Sequence, residues 1–87
     1  MNNIISEIKE AMEKDKVIYG FRKCIKYLKF NEPKLVIVAK SLPEEMKKDI
    51  LDEVKEKSKV IEVNMNAIEL GLSLGKPFPI SVVVIKK

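Results

Sequence analysis

Arg22, Lys23, Lys26 and Lys29 recur at helical spacing within the segment GFRKCIKYLK, Gly20 to Lys29. No acid interrupts them. The first two fall in the opening turn of the helix that this spacing predicts. Cations there oppose the helix macrodipole, at about 0.3–1 kcal/mol each on an exposed surface. A sequence that accepts this cost points to an anionic partner. The amide N–H groups at the same helix start would meet phosphates, and Arg22 could reach guanine acceptors on a base edge. The plain alternative is an exposed basic helix with no partner.

A second candidate is the loop LGKPFPIS, Leu74 to Ser81. Phe78 stands between Pro77 and Pro79 just before an apolar run. An aromatic ring on a stiff loop can stack on an unpaired base, for about 1–3 kcal/mol. Taken alone, these residues favour the simpler reading that Phe78 covers the end of a sheet. Glu69 is also open to two readings. As the third residue after Asn66 it is placed to complete a helix cap, which needs no ligand.

Other chemistry is sparse. There is no histidine, one cysteine, and no spaced cluster of metal-ligating residues, so neither a metal site nor a cofactor is expected. No Gly-rich phosphate loop occurs, and no serine lies in a nucleophile-elbow pattern. Cys24 shares an apolar face with Phe21, Ile25 and Leu28, and no imidazole is present to activate it. It reads as a small core residue, and the chain as a non-enzyme.

The charge distribution agrees. Residues 1–40 hold nine Lys/Arg against five Asp/Glu, and residues 41–87 hold eight of each. The whole excess of +4 lies in the half that contains the basic helix. A net charge of this size does not diagnose nucleic-acid binding; its concentration on one element says more.

The elements that must position these residues follow from periodicity. Ile4, Ile5, Ile8, Ala11 and Met12 predict an amphipathic helix over 3–14. Lys16 to Gly20 reads as a short strand, and 21–30 as the basic helix, broken at Asn31-Glu32-Pro33. Leu35 to Ala39 is a continuous apolar run, as expected of a central strand buried on both faces. Ser41, Pro43 and Glu44 read as a serine cap with an early proline, opening a helix over about 43–57. Val60 to Asn64 reads as a strand. Asn66 caps a helix that ends near Gly71 and Gly75. Ile80 to Ile85 reads as the last strand. The order α-β-α-β-α-β-α-β predicts an α/β/α sandwich of four strands, and 87 residues suit one domain over 1–87. The start MNNIISEIKEAMEK is amphipathic and carries acids, unlike a signal or transit peptide. No apolar run approaches the roughly 20 residues needed to span a bilayer, so a cytoplasmic protein with no membrane partner is expected.

GFRKCIKYLK, KLVIVAKSLPEEMKKDI and IELGLSLGKPFPISVVV, in this order and separation, resemble the ribosomal protein L-thirty-e family of the L-seven-Ae kink-turn-binding superfamily. The likeness runs from about Ile8 to Ile85. It implies a three-layer sandwich with a mixed sheet. It also implies RNA binding in the large ribosomal subunit, as a monomer when free. Kink-turns are bent helix–internal-loop–helix RNAs with tandem sheared G·A pairs. By position, Gly20 matches a glycine that lets backbone approach RNA. Arg22 and Lys23 match the pair that reads the G·A edges, and Lys26 a basic contact one turn on. Ser41 falls where relatives carry a polar residue, and Glu69 lies in the E-L-G motif. Gly75, Lys76, Pro77, Phe78, Pro79 and Ile80 match the loop that contacts a protruding nucleotide. Phe21 and Lys29 complete the candidate RNA-binding set, with Lys29 and Lys76 expected at phosphates. The L-seven-Ae branch has Asn-Glu where this chain has Arg22-Lys23, which favours the L-thirty-e branch. The alternative is a non-ribosomal kink-turn binder of the same superfamily.

Overall fold

The computed structural model describes residues 4–54 and 58–87. Among the described residues, four helices and four strands alternate in the expected order. They are α1 (Ile4–Glu13), β1 (Val17–Tyr19), α2 (Phe21–Phe30), β2 (Pro33–Ala39), α3 (Glu44–Val54), β3 (Val60–Val63), α4 (Ala67–Ser73) and β4 (Val82–Lys86). The sheet order is β1-β4-β2-β3. β4 runs antiparallel to both β1 and β2, while β2 and β3 are parallel, so the sheet is mixed.

Strand alternation divides the core into two halves. Leu35, Ile37 and Ala39 of β2 join Val83 and Ile85 of β4 on one face, under Ile8 and Ala11 of α1 and Leu70 of α4. Val36, Val38, Val82 and Val84 face the other way, under Cys24 and Leu28 of α2 and Ile50 and Val54 of α3. A central strand covered on both faces must be apolar at every position, which is why the patterns of β2 and β4 are continuous. The result is the expected three-layer α/β/α sandwich.

Two strand starts differ from the periodicity by two residues and one expected cap by its partner; the other strand ends agree within one residue. β2 starts two residues early, at Pro33, because the first residue of a strand needs no N–H for the ladder. Ser58 Oγ donates to the Pro33 carbonyl at 2.7 Å. β4 starts two residues late, at Val82. The Ile80 N–H donates instead to the Ala67 carbonyl at 2.9 Å, which holds Ile80 on α4. Ser41 does not open α3 as a cap. The first bond of that helix runs from the Lys47 N–H to the Pro43 carbonyl at 3.0 Å. The Ser41 hydroxyl accepts instead from the Ala67 N–H at 3.0 Å, so it serves the start of α4. The last expected turn of α3, residues 55–57, and residue 3 of α1 lie outside the described residues. No helix among the described residues is long and apolar enough to cross a membrane.

Candidate nucleic-acid interface

Gly20 is the corner between β1 and α2. Its φ of +93° is one that side chains with a Cβ rarely adopt, although a Cβ there would meet nothing within 4 Å. Conformation, and not space, requires the glycine. Its N–H donates to the Val82 carbonyl at 3.1 Å, and its own carbonyl accepts from the Cys24 N–H at 3.0 Å. One residue thus closes the sheet and opens the helix.

Cys24 anchors that helix from below. It is fully buried, and its thiol proton has two carbonyl acceptors in reach, Ile18 at 3.5 Å and Val82 at 3.8 Å. Burial pushes the thiol up to about 12, so it carries no thiolate at neutral pH and is no nucleophile. With Cys24 and Leu28 inward, Arg22, Lys23 and Lys26 are exposed. Arg22 and Lys23 have no carboxylate partner among the described residues.

The second segment is held as firmly. Asn66 and Glu69 form the expected capping box: the Glu69 N–H donates to Asn66 Oδ1 at 2.8 Å and the Asn66 N–H to Glu69 Oε1 at 3.0 Å. At the other end of α4, the Gly75 N–H donates to the Leu72 carbonyl at 3.0 Å and the Lys76 N–H to the Gly71 carbonyl at 2.9 Å. This is a Schellman closure around Gly75, whose φ is +75°. Gly71 sits beneath the returning chain. A Cβ built on it would overlap the Phe78 carbonyl oxygen and stand 3.2 Å from the Phe78 carbonyl carbon. The stretch Pro77-Phe78-Pro79 is therefore pinned at both ends and presents a half-exposed ring, 48% accessible.

The two segments meet. Gly20, Arg22 and Lys23 share an open cleft of about 590 Å³ with Phe78, Pro79 and Ile80, floored by Val17, Ile18 and Tyr19. Among the described residues, its walls carry two cations and no carboxylate. Tyr19 forms part of the wall, and the Lys76 ammonium lies 5.5 Å from the centre of its ring. Partial burial raises the phenol above its ordinary value, so it stays protonated and neutral there.

Not every candidate residue reaches the cleft. Phe21 packs into the α2/α3 half of the core. With Lys29 it borders a separate furrow whose other walls include Asp49, Asp52 and Glu53. Lys29 thus faces acids of α3, about 10 Å along the helix axis from Arg22. Lys26 is exposed one turn beyond Arg22 and Lys23, outside the cleft lining. Ser41 and Glu69 are engaged at the start of α4, and reach the cleft only through the Ala67–Ile80 hydrogen bond. Two residues that shape the site were not among the expected site residues, Tyr19 and Gly71. Each carried a signal: Tyr19 is an aromatic immediately before the corner glycine, and Gly71 is a glycine inside a helix, where it costs about 1 kcal/mol against alanine.

Residues 2–87 match the ribosomal protein L7Ae/L30e/S12e/Gadd45 family. The chain belongs to that family. It is 40% identical over 79 residues to the large ribosomal subunit protein eL30 of Sulfurisphaera tokodaii, covering 90% of this chain and 74% of that protein. It is 39% identical over 80 residues to the eL30 of Saccharolobus solfataricus, covering 91% of this chain and 74% of that protein. The L-thirty-e resemblance carried by the three segments is therefore borne out. Among solved structures, a Bacillus halodurans protein of unknown function superposes with a TM-score of 0.81 at 23% identity, covering 95% of this chain and 83% of that one. The 15.5 kD RNA binding protein of Giardia lamblia superposes with a TM-score of 0.69 at 18% identity, covering 100% and 78%. These two likenesses show the shared fold. The chain is no enzyme, as its membership of this family of ribosomal proteins implies.

Proposed function

We propose that this chain is a structural RNA-binding protein of the large ribosomal subunit, and that the Gly20–Phe78 cleft recognises a kink-turn. The observation that carries the reading is the convergence of two segments some fifty residues apart in sequence. An uncompensated cationic helix start and a pinned aromatic loop share one acid-free cleft. The similarity to eL30 proteins supports the ribosomal setting, and with it a cytoplasmic one.

In this reading the bent RNA lies across the helix start. Arg22 and Lys23 reach the edges of the sheared G·A pairs, at about 1–3 kcal/mol for a good bidentate pair. The absence of a side chain on Gly20 lets backbone come close. Phe78 receives the protruding base against its exposed face, with Pro79 and Ile80 beside it. Lys26 supplies charge one turn further on. Such contacts favour the bent RNA over its extended forms and so shift its population.

Titration of a kink-turn RNA beside the same RNA with its G·A pairs replaced tests this directly. The expected result is a preference for the kink-turn that persists as salt is raised, while both affinities fall. Equal affinity at every salt concentration would overturn the reading. Recovery of the protein with salt-washed large subunits is expected; recovery only outside the ribosome would make it a non-ribosomal kink-turn binder.

A further inference from the structure

Lys16, Lys34 and Lys86 lie on adjacent strands at the end of the sheet remote from Gly20. Val17 pairs with Ile85, which places Lys16 beside Lys86, and the Lys86 N–H donates to the Lys16 carbonyl at 2.8 Å. On its other side Lys86 is in register with Pro33, at the irregularity that carries Lys34. All three border one open hollow of about 580 Å³. Lys14 and Lys87 border it too, and each is paired, Lys14 with Glu10 at 3.7 Å and Lys87 with Glu32 at 3.0 Å. Glu7 and Glu10 of α1 form the acidic part of the rim. Lys16, Lys34 and Lys86 have no carboxylate partner among the described residues.

Like charges on neighbouring strands destabilise a sheet. Here three of them gather where neither the sandwich nor the proposed cleft uses them. We infer that this pole is a second RNA-contact surface, which takes the phosphates of a stretch of RNA beyond the one in the Gly20 cleft. The chemistry indicates the class of contact. Lysine ammoniums are point charges that meet phosphate without reading sequence. Among the described residues, no arginine fork and no aromatic ring borders this hollow. The separation indicates that the two contacts are distinct. From Gly20, the corner of the cleft, to Lys16 is four residues, or about 13 Å of strand, although Val17 of the cleft floor adjoins Lys16. The inference shares with the proposed function only that the partner is RNA.

The test uses the full chain with Lys16→Gln, Lys34→Gln and Lys86→Gln together, and two probes: a kink-turn with minimal arms, and poly-uridylate. Affinity for the minimal kink-turn should stay within about twofold. Affinity for poly-uridylate at low salt should fall about tenfold, and its log–log salt slope should drop by about 2, from roughly 0.7 per lost phosphate contact. Lys16→Gln with Lys34→Gln alone should give a proportionate drop, and serves if the triple variant does not fold. Unchanged poly-uridylate affinity and slope would overturn the inference. So would unchanged RNA binding with loss of incorporation into the ribosome, which would make the pole a protein contact. Failure of the cleft reading would look different: the wild type would not discriminate the G·A-replaced RNA, while the poly-uridylate effects persisted.

Discussion

Gly71→Ala should damage the candidate RNA site from inside α4, without altering any side chain that lines the cleft. Alone, the change gains about 1 kcal/mol, because glycine in a helix interior is that much worse than alanine. The surroundings reverse the sign. The new methyl group overlaps the Phe78 carbonyl oxygen and lies 3.5 Å from the Ile80 nitrogen. Both are backbone atoms, so the loop must move as a unit. Moving it strains the 2.9 Å hydrogen bond from the Ile80 N–H to the Ala67 carbonyl, worth about 1 kcal/mol. It also lifts Ile80, now 1% exposed, part-way out of a site worth about 1.5–3 kcal/mol. Overpacking of this kind costs about 1–3 kcal/mol. The net expectation is a loss of about 1–2 kcal/mol, read as a lower denaturation midpoint at unchanged slope. The folded variant should also bind kink-turn RNA more weakly, since Phe78 moves with the loop. Ile68→Ala, at an exposed position of the same helix, controls for effects on α4 itself and should change stability by less than about 0.5 kcal/mol. A Gly71→Ala protein as stable as the wild type, with RNA affinity intact, would refute the claim that α4 holds the loop at this point.

Three more outcomes are expected. In a double-mutant cycle on Tyr19→Leu and Lys76→Met, losses of RNA affinity should be non-additive, because the pair acts as one strut across the cleft wall; additive losses with a reduced salt slope for Lys76→Met would make Lys76 a direct phosphate contact instead. Ser41→Ala should destabilise the fold by about 1 kcal/mol, as loss of a hydroxyl acceptor at a helix start does, and equilibrium denaturation reads it. Burial raises the Cys24 thiol from its ordinary 9.0 to about 12, so the folded chain binds this proton more tightly than the unfolded one. The stability this contributes is complete below pH 9 and is lost as pH rises toward 12, with a slope approaching about 1.4 kcal/mol per pH unit. The difference between wild type and Cys24→Ala across that window isolates the effect from the lysines and tyrosines that titrate there.

Periodicity resolved the layers because each helix and strand carries its own burial pattern. The full apolarity of Val36 to Ala39 is a local signature of a central strand, and the Asn66–Glu69 box closes within one turn. What spacing misplaced depends on partners far along the chain. Ser41 has every local feature of a cap, yet it serves Ala67, 26 residues on. Ile80 has the type of a strand residue, yet its N–H is taken by α4. Lys29 repeats the spacing of Arg22 and Lys26, but only the packing of α2 on α3 shows that acids face it. The Tyr19–Lys76 contact joins the first strand to the last loop, and no periodicity links them. The two halves of the candidate site were legible separately; that they share one cleft follows from β4 running antiparallel beside β1.

The backbone of Ala67 ties the fold to the cleft loop. Its N–H is held by Ser41 from the loop after β2, and its carbonyl accepts from Ile80 at the end of the cleft loop. The cleft loop is further closed by the Schellman turn at Gly75 and stiffened by Pro77 and Pro79. Its conformational entropy is therefore surrendered on folding and is not lost again on binding. The cationic start of α2 works in the opposite sense. Arg22 and Lys23 leave the free protein less stable than a neutral or acidic start would, and an anion relieves that cost. The scaffold thus fixes the aromatic side of the cleft before any ligand arrives and leaves the charged side unsatisfied. A partner that brings phosphate and an unpaired base together meets both conditions, whereas a purely anionic protein surface meets one.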